Sequence, residues 1–175
     1  MFADLPLLVV IHLVAATVSI ALGATIFLGR KGTSWHRRIG VAYIAAMIVT
    51  IVSVVPVRAT TLPIMGTRFG FFHLMILVGA ISLTIGIRDL LRWRRTNDPA
   101  ALRSHQINLA YSYAGLLMAG FSQLSTNPRW QLVDLTSETQ FWIAFGLTNA
   151  VIYGVATWLI QTRVAKRDPL RFLAR

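Results

Sequence analysis

The sequence predicts an all-α integral membrane protein with five transmembrane helices, its N-terminus outside and its C-terminus in the cytoplasm. Three observations carry that prediction. The 175 residues are 55% hydrophobic and only 13% charged, with a mean hydropathy of +0.63, too apolar for a soluble domain of this size. Five windows of roughly 20 apolar residues, at about 5–28, 39–57, 69–87, 107–124 and 141–160, are each long enough to cross about 30 Å of hydrocarbon. The third observation is the placement of the basic residues.

The net charge is +11, with 17 lysines and arginines, and their distribution argues against a nucleic-acid partner. Arg30, Lys31, Arg37 and Arg38 lie between spans one and two, and Arg88, Arg92, Arg94, Arg95 and Arg103 between spans three and four. Arg163, Lys166, Arg167, Arg171 and Arg175 follow span five. These fall on one side of a five-span topology and leave Arg58, Arg68 and Arg129 on the other, the bias that marks the cytoplasmic face. The basic groups read first as orientation signals and contacts to lipid headgroups.

The first span, opening "MFADLP", carries an aspartate where a secretion signal has a basic region; with no A-x-A site after it and a longer apolar run, it is expected to remain as a span. Span two follows the short basic loop "GRKGTSWHRR". After span three comes "RDLLRWRRTNDPAALRSH", whose mixed leucines, tryptophan and arginines suggest a helix lying partly on the cytoplasmic surface until "NDP" breaks it. The outer loop "STNPRWQLVDLTSET" holds Asp134 and Glu138, read as solvated loop charge because nothing apolar surrounds them. Span five has no histidine, and its polar Thr148 and Asn149 have no counterpart in the repeat described below, so it is expected outside the core. Trp142 and Trp158 near its two ends, with Trp35, Trp93 and Trp130 in the loops, suit interfacial anchors. The loops are short enough for a single membrane domain over 1–175. The chain has no cysteine, which excludes disulfides, thiolate sites, iron–sulfur clusters and covalent haem attachment.

The four histidines set the functional reading. Spans one and two run H-L, apolar helix, basic loop, then "HRRIGVAY"; spans three and four run H-L, apolar helix, basic loop, then "HQINLAYSY". This duplicated hairpin implies a four-helix core with span one opposite three and two opposite four. At 1.5 Å per residue, His12 and His73 lie roughly 7 Å outside the midplane, and His36 and His105 roughly 15–18 Å inside it. The two levels are then separated by roughly 20–25 Å, and each pair can ligate one b-type haem. Neutral imidazole is the ligating form and its other N–H needs an acceptor; the carbonyls four residues back, at Leu8 and Phe69, are the expected ones for the outer pair.

Small residues fit the same geometry. Ala16, Ser19 and Gly23 follow His12 at helical spacing, Gly40 follows His36 by one turn, and Asn108, Ser112, Gly115, Ala119 and Ser122 follow His105. Such stripes can receive a flat macrocycle, although close helix packing is their commoner use. Arg37, Arg38 and Arg103 stand where haem propionates would meet the interface.

"SWHRRIGVAY", after a span bearing "IHL" near its outer end, resembles the haem-binding helices of the diheme b-type cytochromes of the b-561 class, over spans one to four. That resemblance implies ligand pairing of His12 with His73 and His36 with His105. The chain lacks that class's further histidines and ascorbate-binding pattern, so no substrate is implied. The whole chain also resembles a bacterial family of predicted membrane proteins marked by an HRxxGxxY element, here His36, Arg37, Gly40 and Tyr43.

The reading is a multi-pass protein of the bacterial inner membrane that carries two haems b and transfers electrons, with quinone or ferric reduction and redox partner proteins as open possibilities. The alternative is an accessory subunit of a larger membrane complex, with histidines that bind (bacterio)chlorophyll or nothing. A transporter is disfavoured because the spans hold no internal carboxylate and no Gly/Pro-broken helix pair.

Overall fold

The structure, a computed structural model, describes residues 6–57, 65, 67, 69–126, 137–166 and 168–170. The described residues form five α-helices: α1 (Leu7–Leu28), α2 (Ser34–Val54), α3 (Phe71–Thr96), α4 (Pro99–Thr126) and α5 (Glu138–Leu159). A π-helical stretch, Ile160–Ala165, continues α5. Asp134 and the outer Arg58, Arg68 and Arg129 lie outside the described residues.

Three helix starts have a clear local cause. Gly32, at φ +81, turns the chain through a left-handed conformation that a side chain would resist, and Thr33 then caps α2 by accepting from the His36 N–H at 3.0 Å. Pro99 takes the first position of α4, where no N–H is needed, and the Asp98 carboxylate accepts from the Ala100 N–H at 2.9 Å. Ser137 and Gln140 form a reciprocal capping box at α5.

Burial departs from that of a soluble protein: many large apolar side chains are exposed, and polar ones are buried beside Ile39, Met47, Leu83 and Phe145. Exposed side chains include Leu7, Val14, Val18, Val41, Val52, Leu147 and Val151, while Ser19, Thr50, Ser53, Asp89, Ser112, Ser122, Thr126 and Asn149 are buried. Much apolar surface faces outward, and small and polar groups join large apolar ones between the helices, as suits a hydrocarbon solvent. Leu7–Leu28, Ser34–Val54 and Glu138–Ala165 are long and apolar enough to cross a membrane. The α4 helix is more polar: Ser104, Ser122 and Ser125 meet neighbouring helices, while Asn108 and Thr126 bond back to α4 itself.

The helix expected between spans three and four, broken at "NDP", is the continuation of α3. There α3 runs on through Thr96 and α4 starts at Pro99, leaving a turn of Asn97, at φ +52, and Asp98. Arg92 pairs with Asp98 at 3.1 Å across this turn. His36 sits within the first turn of α2.

The chain divides into two compact units, Met1–Ala80 with Leu170–Arg175, and Ile81–Pro169. In the first, α1 packs along α2. The buried face of α1 carries Ala15, Ser19 and Gly23, four residues apart, and that of α2 carries Ile39, Tyr43, Met47, Thr50 and Ser53. In the second unit α4 is buried on several sides and α5 packs on it through Phe141, Phe145 and Asn149. The second half of α3 meets α4 closely at Gly86, where a Cβ would collide with Leu109 Cδ2.

Candidate functional site: the histidines and their partners

His12, half-buried on α1, directs Nδ1 at the main-chain carbonyl of Thr50 on α2, 2.9 Å away. A carbonyl only accepts, so Nδ1 carries the proton and Nε2 keeps its lone pair. Ser53 Oγ lies 3.4 Å from the same nitrogen and donates to the Thr50 carbonyl at 3.2 Å. The acceptor is thus on the neighbouring helix and not at Leu8, because α2 packs close enough to offer the second lone pair of a helical carbonyl. Along α2, residue 50 is fourteen positions from residue 36, so His12 stands roughly 21 Å from the level of His36.

His73 is set the other way round. Its Nδ1 accepts from the Gly70 N–H at 3.0 Å, closing the first turn of α3, so its proton sits on Nε2. That Nε2 is buried and has no hydrogen-bond partner among the described residues. The expected acceptor, the Phe69 carbonyl, is not used; the Phe69 ring instead meets the imidazole edge-on at 5.4 Å. Ligation through Nε2 would require His73 to exchange the Gly70 contact for a proton on Nδ1.

His36 is half-buried, and its neighbour Arg37 spends Nη1 on the Gly32 carbonyl at 3.1 Å, which holds the loop. Arg38 and Arg103 are exposed. A Cβ at Gly40 would meet no atom within 4 Å, but the same is true at Gly79, Gly146 and Gly154, so this room is not peculiar to Gly40. Gly23 is buried on the packed face of α1, alongside Ala15 and Ser19.

His105 repeats the arrangement of His12. Its Nδ1 donates to the Gly86 carbonyl of α3 at 2.8 Å, leaving Nε2 unprotonated. Leu109, one turn after His105, occupies the space that a side chain on Gly86 would fill. One turn beyond Gly86, the buried Asp89 accepts from Ser104 Oγ at 2.5 Å through Oδ2 and from Arg88 Nη2 at 3.1 Å through Oδ1. Asn108 Nδ2 in turn donates to the carbonyl and hydroxyl of Ser104, at 2.9 and 3.1 Å. The Ser104 hydroxyl, opposed by burial and helped by Arg88 and Arg92, holds the Asp89 carboxyl below its ordinary value.

Asp89 and Ser104 were not among the sequence candidates. A lone acid in the arginine-rich "GIRDLLRWRR" resembles loop charge until α3 is seen to continue past it. Thr148 and Asn149 of α5, without counterparts in the repeat, do have partners on α4: Asn149 Nδ2 donates to Ser122 Oγ at 2.7 Å, and Thr148 meets Ser125 at 3.4 Å.

Among the described residues no three His, Asp or Glu side chains gather as a metal cluster. The chemistry this arrangement offers is that of separate imidazoles, two of them with Nε2 free and oriented. Helices that bury polar groups and expose apolar ones define a multi-pass helical membrane protein. Residues 9–164 match the family model described as predicted membrane protein (DUF2306), and the chain belongs to that family. No curated protein and no solved structure matches it.

Proposed function

We propose that this protein is a five-span electron-transfer protein of the cytoplasmic membrane that binds two b-type haems through His12, His73, His36 and His105. The observation that carries the reading is the shared setting of His12 and His105. Each donates Nδ1–H to a carbonyl of the helix packed against it, at 2.9 and 2.8 Å, which fixes the tautomer and points Nε2 away as a ligand atom. The roughly 21 Å between the levels of His12 and His36 along α2 agrees with two sites at different depths. The b-561 resemblance, carried by His12, His36 and Gly40, points the same way.

Haem supplies one-electron chemistry at such a site. The chain's own contribution is to orient imidazoles and exclude water. Thr50 and Ser53 hold the His12 ring, Gly86 holds His105, and Arg38 and Arg103 are the exposed cations available to propionates. The orphaned Nε2 of His73 suits a ligand atom, at the cost of the Gly70 contact.

The deciding experiment is haem quantification with a reduced-minus-oxidised spectrum on the purified full chain. Two haems b per chain are expected. A chain purified from haem-replete cells with no haem would overturn the reading and leave the accessory-subunit alternative.

A further inference from the structure

We infer that Asp89 is a positioning and charge-setting residue of the His105 site, one that lowers the reduction potential of the group His105 binds. This rests on the haem reading above and adds a residue and an electrostatic role to it.

The geometry is a two-point clamp. On one face of α3, three residues apart, stand the Gly86 carbonyl and the Asp89 carboxylate; on α4 they take the consecutive residues His105, at 2.8 Å, and Ser104, at 2.5 Å. The imidazole and the carboxylate are thereby held on adjoining positions of the same two helices.

The hydrogen-bond directions are forced. A serine hydroxyl has one proton, and that of Ser104 goes to Asp89 while its oxygen accepts from Asn108. Asn108 orients Ser104, and Ser104 and Arg88 both donate to the carboxylate, so the arrangement favours its ionised form.

The charge itself is unevenly placed. Asp89 is 4% exposed, whereas the Arg88 side chain that pairs with it is 71% exposed. The negative end is covered by its contact with α4, and the positive end is screened by solvent. Arg92 is turned to Asp98 at 3.1 Å, and Arg94 is exposed. Among the described residues Asp89 is the buried carboxylate. A buried negative charge stabilises the more positive, oxidised member of a one-electron couple, so its removal makes reduction easier.

The test is a spectroscopic redox titration of the full-length purified protein, with dithionite supplying the electrons, on wild type, Asp89→Asn and Arg88→Gln. Asparagine keeps an acceptor for Ser104 and removes only the charge. Both variants should retain two haems. In Asp89→Asn the reduction equilibrium of one haem should move at least tenfold toward the reduced form, about 59 mV for one electron. In Arg88→Gln the same haem should move the opposite way and by less, because that charge is screened, and the second haem should stay unchanged in both. A purely structural role would shift both variants in one direction; that result, equal shifts of both haems, or no shift overturns the inference while the haem reading stands. Should Asp89→Asn fail to assemble, Asp89→Ser, which also removes the charge, is titrated in its place: a raised potential supports the inference and an unchanged or lowered one overturns it. A wild-type chain without haem overturns both.

Discussion

His105 Nδ1 and the Gly86 carbonyl oxygen meet at 2.8 Å across two helices, at the point where a side chain on Gly86 would collide with Leu109. The glycine leaves the Leu109 side chain room to lie against α3 beside that hydrogen bond. A helical carbonyl has a spare lone pair, but a neighbouring helix reaches it only where nothing stands between the backbones. The same pattern at His12 and Thr50 uses the small residues of α1, Ala15, Ser19 and Gly23, to bring α2 close.

Gly86→Ala is therefore expected to push α3 from α4. Forcing a methyl against Leu109 should cost about 1–3 kcal/mol of stability, as overpacking does. Adding Leu109→Ala should return the room, so that the double variant is less destabilised than the sum of the singles. Equilibrium unfolding in detergent measures all three, and simple additivity would show that the contact does not govern the approach.

Removing Asn149 tests the α4–α5 seam. Its Nδ2 donates to Ser122 Oγ and to the Phe145 carbonyl, both at 2.7 Å. Asn149→Leu should lose about 0.5–2 kcal/mol, the range of interhelical hydrogen bonds in membranes, and Asn149→Ala together with Ser122→Ala should lose little beyond the single. The same unfolding assay applies, and an unchanged midpoint would mean that the seam is held by its phenylalanines alone.

Asp89 gives the fold a pH dependence with a definite sign. Folding lowers the carboxyl's pKa, chiefly through the Ser104 hydroxyl, so the folded chain binds fewer protons than the unfolded one in the acid range. The contribution is complete above the unfolded value of about 3.9 and falls away as pH drops through the lower folded value. Wild-type stability should decline more steeply below about pH 4 than that of Asp89→Asn. Parallel acid-unfolding curves for the two proteins would show that the carboxylate contributes nothing to folding.

Ligand pairing makes a fourth prediction, by haem content. His12→Ala and His73→Ala should remove the same haem, and the double variant should lose no more than either single, since residues acting as one unit are not additive. His36→Ala and His105→Ala should do likewise for the other haem. A His36→Ala protein that keeps two haems would exclude His36 as a ligand.

Much of this was legible in the sequence because hydrocarbon imposes a simple code. An apolar run of some twenty residues must satisfy its backbone internally, and a helix is the local way to do so, so five helices could be read from "LLVVIHLVAATVSIALG" and its four successors without knowing their neighbours. The histidines, too, were conspicuous as polar rings in or beside those runs. What no local pattern could supply was which atoms they face. The partner of His12 is thirty-eight residues away and that of His105 nineteen, and both are main-chain carbonyls whose identity is invisible in side-chain chemistry. His73 shows the same limit from the other side, since its Nδ1 is taken by the Gly70 N–H of its own first turn. Asp89 appeared as one more loop charge because hydropathy ends span three at Ile87; only the continuation of α3 past it, and the approach of α4 permitted by Gly86, turned that carboxylate into a buried partner of Ser104. Composition and period determine where this chain is helical, because those are properties of short range. The hydrogen bonds that orient His12 and His105 depend on interhelical distance, and that was decided by packing.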